Sequence, residues 1–80
     1  MRRAVLMPSV EVGMTQGRFI EFLVDFGQTV SVGDLLFTVE GEKAAMDIEA
    51  PVGGQIVELI ARPGSDLAVG AEVLVLEVPQ

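Results

Sequence analysis

The 80-residue sequence contains no histidine, cysteine, tyrosine or tryptophan, and lysine occurs once among its five basic residues. General acid–base catalysis near neutral pH most often uses histidine, and covalent catalysis most often uses a cysteine or an activated serine. Ser9, Ser31 and Ser65 have no imidazole to activate them, and the carboxylates are spread along the chain without an obvious pair. We therefore expect a protein that is not an enzyme.

The charge and the short apolar runs exclude two further classes of partner. Twelve acidic residues against five basic ones leave a formal net charge of -7 at pH 7, which repels nucleic-acid phosphates and anionic lipid headgroups. Pro8 ends the apolar run after Arg2-Arg3 well short of a signal-peptide core or a membrane span. Because the lack of cysteine also fits a reducing compartment, we expect a soluble, cytoplasmic protein that binds neither nucleic acid nor membrane.

Length and composition predict one folded domain over residues 1–80. Chains divide into units of roughly 100–200 residues, so there is no room for a second domain. Hydrophobic residues make up 50% of the chain and charged residues 21%, a balance typical of globular rather than disordered chains. A core this small is close to the limit at which burial offsets chain entropy, so stability requires compact packing.

An internal repeat organises the chain. When Gly17–Glu40 is placed over Gly54–Glu77, an offset of 37 residues (54 minus 17), six of the 24 positions are identical. The identical pairs are Gly17/Gly54, Glu21/Glu58, Gly27/Gly64, Val32/Val69, Gly33/Gly70 and Glu40/Glu77. Two similar halves of a small domain usually associate about a pseudo-twofold axis, because each half then buries the apolar face of the other. We therefore expect internal pseudo-twofold symmetry.

Within each copy the apolar residues recur with a period of two, which predicts β-strands. Runs rich in Val, Ile and Phe between glycines favour strands over helices, so we expect an all-β fold of about eight short strands. The charged residues place one face of each first strand outward, with Phe19 and Ile56 on that face. The side chains expected to point inward are Ile20, Phe22, Val24, Val57, Leu59 and Ala61.

Glycines at equal offsets mark the turns of the two copies. Gly27 and Gly64 lie where each copy leaves its first strand, and Gly33 and Gly70 lie six residues later (33 minus 27). Glycine adopts a positive φ without steric cost, so these four positions predict turns.

The two copies differ in one loop. The first copy uses ten residues from Pro8 to Gly17, whereas the second uses four from Pro51 to Gly54, so the first carries six extra residues (10 minus 4). Loops on a rigid scaffold are a frequent place for function. The inserted loop consists of Ser9, Val10, Glu11, Val12, Gly13, Met14, Thr15 and Gln16.

Lys43, the single lysine, lies between the two copies in the segment Glu40-Gly41-Glu42-Lys43-Ala44. The glycine and the small alanines predict a tight hairpin with Glu42 and Lys43 at its exposed tip. Lysine offers an amine that can be acylated, which arginine does not. An ordinary solubilising charge on a loop is the competing interpretation.

These motifs together resemble a lipoyl domain of the 2-oxo acid dehydrogenase complexes, in the biotinyl/lipoyl carrier family, from about Ala4 to Val78. The attachment motif of the family, usually Glu-Thr-Asp-Lys-Ala, is similar to Glu40–Ala44. The other matching segments are Met7–Val10, Gly13–Gly17, Phe19–Val24, Gly27–Asp34 and Asp47–Gly54. The resemblance implies a flattened barrel or sandwich of two four-stranded antiparallel sheets with internal pseudo-twofold symmetry.

The resemblance also implies a function as a swinging-arm carrier. Lys43 would bear covalently bound lipoic acid as an amide, with Glu40, Gly41, Glu42 and Ala44 forming the attachment hairpin. The implied partners are a lipoate ligase or lipoyl/octanoyl transferase, a thiamine-dependent 2-oxo acid decarboxylase component, a dihydrolipoyl acyltransferase and a dihydrolipoyl dehydrogenase. The family places the inserted loop near the hairpin, so Ser9 to Gln16 are expected to contribute to partner recognition.

The chain departs from the family pattern at two places, and two alternatives remain. Glu11-Val12 stands where the family commonly has Gly-Glu, and Gly41-Glu42 stands where it has Thr-Asp. The biotinyl branch places methionine on both sides of its lysine, whereas Lys43 lies between Glu42 and Ala44. A biotinyl carrier is therefore the second interpretation, and an unmodified structural or interaction module of the same fold is the third.

Overall fold

In the computed structural model, residues 1–79 are described, and they form eight β-strands joined by turns and loops. The strands are β1 (Arg2–Leu6), β2 (Gln16–Phe22), β3 (Thr29–Val30), β4 (Leu35–Glu40), β5 (Ala45–Glu49), β6 (Gly54–Leu59), β7 (Asp66–Ala68) and β8 (Glu72–Glu77). The all-β expectation is confirmed.

The strands form two antiparallel sheets of four, in the orders β1-β8-β6-β3 and β5-β4-β2-β7. The two sheets make a flattened sandwich, and within residues 1–79 their edges do not join to close a barrel. The two sheets have equivalent strand orders: β1 corresponds to β5, β8 to β4, β6 to β2 and β3 to β7. This correspondence is the expected pseudo-twofold symmetry, and each sheet combines strands from both halves of the chain.

The core lies between the sheets and is apolar. Its most deeply buried side chains are Met7, Phe19, Leu36, Phe37, Val39, Ile56, Val73, Leu74 and Leu76. Phe19 packs against Phe37 and Phe22, with ring centroids 5.8 Å and 4.6 Å apart. No polar or charged side chain is buried among the described residues. Hydrophobic burial and close packing between the two halves therefore hold the molecule together.

The prediction of which side chains point inward from the first strand of each copy is partly wrong. Phe19 and Ile56, expected outward, are both 0% exposed, whereas Ile20 and Val57, expected inward, are only half-buried. Where β2 pairs with β4, the register skips Ile20, which lies between the paired residues Phe19 and Glu21. Where β6 pairs with β8, the register skips Val57, between Ile56 and Glu58.

A β-bulge at the skipped residues, Ile20 and Val57, is the physical reason for this error. One extra residue in a strand reverses the alternation beyond it. Accordingly, Gly17 and Phe19 point inward before the bulge, and Phe22 and Val24 point inward after it. The expectation is therefore correct only beyond the bulges, for Phe22, Val24, Leu59 and Ala61.

The expected turn glycines are confirmed by their backbone. Gly27 and Gly64 both have φ of 86°, and Gly33 and Gly70 have φ of 91° and 95°. The turns also close equivalent hydrogen bonds, since the Gly27 N–H donates to the Ile56 carbonyl at 2.8 Å and the Gly64 N–H to the Phe19 carbonyl at 2.7 Å. Each bulge is thus held by the turn of the other half.

Gly54 is required for a different reason, which is close approach between strands. A side chain there would place its Cβ 2.6 Å from the backbone oxygen of Glu77. At the symmetry-related Gly17 the nearest atoms are the flexible ends of Met14 and Met7, with the backbone oxygen of Glu40 at 3.2 Å. The two equivalent glycines therefore have different surroundings: Gly54 faces backbone, whereas Gly17 faces mainly flexible side chains.

We expect Gly54→Ala to lower the free energy of unfolding by about 2–3 kcal/mol, because two strands must separate to admit the methyl group. Gly17→Ala, the matched control, should cost about 1 kcal/mol less, since methionine side chains can rotate away. Urea unfolding followed by far-UV circular dichroism measures both. Equal losses would contradict the assigned contact with Glu77.

Candidate functional site

Lys43 lies at one end of the sandwich, at the tip of the hairpin that joins β4 to β5. Glu40 pairs with Ala45, and the Gly41 N–H donates to the Ala44 carbonyl at 2.9 Å, which leaves Glu42 and Lys43 at the tip. Glu42, Lys43 and Ala44 are exposed. The structure therefore has the hairpin that the sequence predicts, with the amine open to a partner.

The strands beneath the tip hold the hairpin to the core. On β4 the side chains of Leu36, Phe37 and Val39 are fully buried. The Thr38 hydroxyl donates to the Asp47 carboxylate at 2.7 Å and so links β4 to β5 across the hairpin. The lysine is therefore carried by a short hairpin in which β4 is packed into the core and β5 is an exposed edge strand paired to it.

The inserted loop, residues 9–16, is folded back on itself. The Ser9 hydroxyl and the Met14 N–H both donate to the Glu11 carbonyl, at 2.8 Å and 3.2 Å. Gly13 turns the chain with φ of 77°, and Met14 packs against Gly17 and the core. Between these anchors, Val12 projects fully into solvent.

The loop and the hairpin meet through Glu11. Its carboxylate oxygen Oε1 accepts a hydrogen bond from the backbone N–H of Lys43 at 2.9 Å. The same carboxylate lies over Gly41, where a Cβ atom would come within 2.7 Å of Glu11 Cδ. Glu42 of the hairpin and residues Glu11 to Gln16 of the loop line one groove. The structure thus brings the expected loop and the expected hairpin together.

The surface around Lys43 is acidic. The loop and the hairpin carry Glu11, Glu40, Glu42 and Asp47, and Asp66 on β7, two strands away from β4, is paired with Arg18 of β2 at 3.4 Å. A surface of this charge attracts a basic partner surface and raises the rate of encounter at low salt.

No group of three or more Asp, Glu, His or Cys side chains within residues 1–79 is placed to hold a metal ion. No helix in that part of the chain has the length and hydropathy needed to cross a membrane. The site offers one exposed lysine on a short hairpin, with the carboxylates of Glu11, Glu40 and Glu42 around it.

Sequence reasoning missed the direct contact between Glu11 and the hairpin. Its signal was nevertheless visible, because the two departures from the family pattern, at Glu11 and at Gly41, fall on residues that touch. Only the folded structure shows that residues 30 positions apart in sequence (41 minus 11) form one contact.

The family is established by comparison with known proteins. The Biotin_lipoyl family model, described as "Biotin-requiring enzyme", matches residues 3–76. The match covers nearly the whole chain, and the chain belongs to this biotinyl/lipoyl carrier family. The resemblance seen in the sequence is therefore confirmed.

Curated relatives narrow the likeness to lipoyl-bearing acyltransferases. The chain is 34% identical over 67 residues to the dihydrolipoyllysine-residue acetyltransferase component of the pyruvate dehydrogenase complex of Haemophilus influenzae. It is 35% identical over 74 residues to the lipoamide acyltransferase component of the branched-chain alpha-keto acid dehydrogenase complex of Pseudomonas aeruginosa. These matches cover 84% and 92% of this chain but only 12% and 17% of the relatives.

Solved structures agree on the fold. The lipoyl domain of the 2-oxoglutarate dehydrogenase complex from Azotobacter vinelandii superposes with a TM-score of 0.71 at 19% identity, covering 95% of this chain and 100% of that one. A single-chain, multi-domain long-chain acyl-CoA carboxylase superposes with a TM-score of 0.82 at 20% identity, covering 99% of this chain and 7% of the other. At this identity both likenesses concern the fold alone.

Proposed function

We propose that residues 1–80 form a single, non-catalytic lipoyl carrier domain in which Lys43 bears lipoic acid through an amide bond. The observation that carries the proposal is the position of Lys43, the single lysine, at the exposed tip of a short hairpin in a domain of this family. The named relatives, which are dihydrolipoyllysine or lipoamide acyltransferases, favour lipoic acid over biotin.

The residues of the chain present the group and do not perform its chemistry. When bound, lipoic acid supplies a dithiolane that accepts an acyl group together with two electrons. Lys43 provides the amine and the length of the arm, and the buried strand β4, with β5 paired to it, holds the point from which the arm extends. Tethering replaces a diffusing carrier by a high effective concentration at each partner active site.

The proposed partners follow from this role. They are a lipoate ligase or lipoyl/octanoyl transferase, a thiamine-dependent 2-oxo acid decarboxylase, a dihydrolipoyl acyltransferase and a dihydrolipoyl dehydrogenase. The relatives are components of such dehydrogenase complexes, which supports all but the first of these. A cytoplasmic location belongs to the same proposal.

Lys43→Arg should abolish lipoylation while leaving the fold unchanged, because arginine keeps the charge but offers no amine that forms this amide. The chain is coexpressed with a lipoate-attaching enzyme, and the adduct is located by intact mass and peptide mapping. Circular dichroism of the variant controls for folding. An adduct that persists in Lys43→Arg would refute the assignment of the residue.

A biotinyl carrier is the second candidate, because the matching family model is described as "Biotin-requiring enzyme". We expect the unaltered chain, offered both ligases, to accept lipoate alone. The double change Glu42→Met and Ala44→Met should admit some biotin, because it places methionine on both sides of Lys43, as in the biotinyl branch, at two exposed positions. Streptavidin blotting and intact mass measure both products, and biotin on the unaltered chain would support this second candidate.

The third candidate, an unmodified interaction module of the same fold, makes the opposite prediction about the native protein. Intact mass of the chain from its own cells distinguishes it from the carrier, since an interaction module leaves Lys43 bare.

We further propose that the inserted loop contributes to recognition of the decarboxylase. Its support is the position of the loop against the hairpin and the full exposure of the apolar Val12. A partner that receives the arm would cover both surfaces at once.

Val12→Ser should lower kcat/KM for reductive acylation by the decarboxylase about threefold to tenfold, because an apolar contact at the interface is lost. Folding and lipoylation should be unchanged, since the side chain packs on nothing. Val32→Ser is the matched control: Val32 is an exposed valine at the opposite end, where Val78 and Pro79 lie. Equal kcat/KM values for the parent and both variants would contradict a role of the loop in recognition of the decarboxylase.

A further inference from the structure

We propose that Glu11 is a positioning residue for the attachment hairpin, and that Gly41 is glycine because the Glu11 carboxylate occupies the space of its missing side chain. The effect on attachment rests on the proposed function, whereas the effect on the hairpin does not. The juxtaposition is a hydrogen bond of 2.9 Å from the Lys43 N–H to Glu11 Oε1 across Gly41.

The first step concerns the Lys43 N–H, which lies at the tip of the turn. The hydrogen bond of the hairpin itself joins Gly41 to Ala44 and does not use the Lys43 N–H. A carboxylate is a strong acceptor for a backbone N–H. Glu11 therefore fixes the backbone of the one residue whose side chain must enter a partner active site.

The second step concerns what holds Glu11. Its carbonyl accepts from the Ser9 hydroxyl and the Met14 N–H, while Met14 packs into the space beside Gly17. Glu11, whose side chain accepts the hydrogen bond from the hairpin, thus belongs to a loop that Met14 anchors in the core. Loop and hairpin form one unit, so the orientation of the arm depends on the loop.

The third step concerns Gly41. Its φ is not in the positive range that requires glycine, since the positive-φ glycines of residues 1–79 are Gly13, Gly27, Gly33, Gly64 and Gly70. Packing therefore explains this glycine where backbone conformation does not. Any Cβ at this position meets the end of the Glu11 side chain, which must then shift away from its place over Gly41.

The competing explanation is that Gly41 is an ordinary turn residue and Glu11 an ordinary surface charge. The two explanations differ on the conservative variants. An ordinary turn glycine accepts alanine with a small gain in stability, and an ordinary surface charge is removed without any effect on a single amide. Our proposal ties both residues to the Lys43 N–H.

The test measures amide hydrogen exchange rates of the unmodified chain by NMR. Glu11→Ala should speed exchange at Lys43 about tenfold, the effect of losing one hydrogen bond, while the core amide of Ile56 serves as an internal reference. Glu11→Gln keeps an oxygen acceptor and should stay within about threefold of the parent. Glu21→Ala, which removes an exposed glutamate from β2, is the matched control and should leave Lys43 unchanged.

Gly41→Ala should reproduce the Glu11→Ala result, because it displaces the same carboxylate. The double variant should be no worse than either single variant, since one contact cannot be lost twice. Unchanged exchange at Lys43 in Glu11→Ala, or additive effects in the double variant, would overturn the proposal.

The second readout is attachment by the lipoate enzyme. Glu11→Ala should raise KM for the domain about threefold to tenfold with kcat nearly unchanged, because the amine is intact but its presentation is less uniform. Glu11→Gln should restore most of the loss. Unchanged KM together with faster exchange at Lys43 would refute the effect on attachment. If the parent is not lipoylated at all, the proposed function fails, and the exchange experiment still decides the role of Glu11.

Discussion

The structure depends on one constraint, which is that neither half of the chain can complete a sheet alone. β1 and β3 of the first half pair with β8 and β6 of the second, while β5 and β7 pair with β4 and β2. The apolar core forms only where these sheets face each other. In a chain of 80 residues without disulfides, this mutual burial has to offset the chain entropy of both halves together. Folding is therefore expected to be cooperative across the whole domain.

The same interlocking defines the two ends of the sandwich. The pseudo-twofold axis relates Glu40-Gly41-Glu42 at the lysine end to Glu77-Val78-Pro79 at the other end. Only the lysine end carries the hairpin tip and the inserted loop. A scaffold built from two equivalent halves thus presents two different ends, and the function we propose uses the one where the symmetry is broken.

At that end, rigidity and exposure are combined. β4 is anchored by buried side chains, β5 is tied to it by strand pairing and by the hydrogen bond from Thr38 to Asp47, and the loop is anchored through Met14. Glu11 then joins loop and hairpin at the backbone of Lys43. A carrier needs a mobile arm on a fixed base, because motion of the base would reduce the effective concentration that tethering provides. The described contacts supply the fixed base.

Much of this protein is determined by its sequence alone. The repeat, the turn glycines and the Glu40–Ala44 segment predicted the all-β fold, its pseudo-symmetry and the exposed lysine, because these depend on local period and turn chemistry. The alternation rule failed at Ile20 and Val57, since a bulge is created by pairing with β4 and β8 and leaves no mark in the strand itself. The contact of Glu11 with Gly41 and Lys43 likewise required the tertiary structure. Strand pairing brings residues from distant parts of the chain together, and no local sequence pattern specifies which of them come into contact.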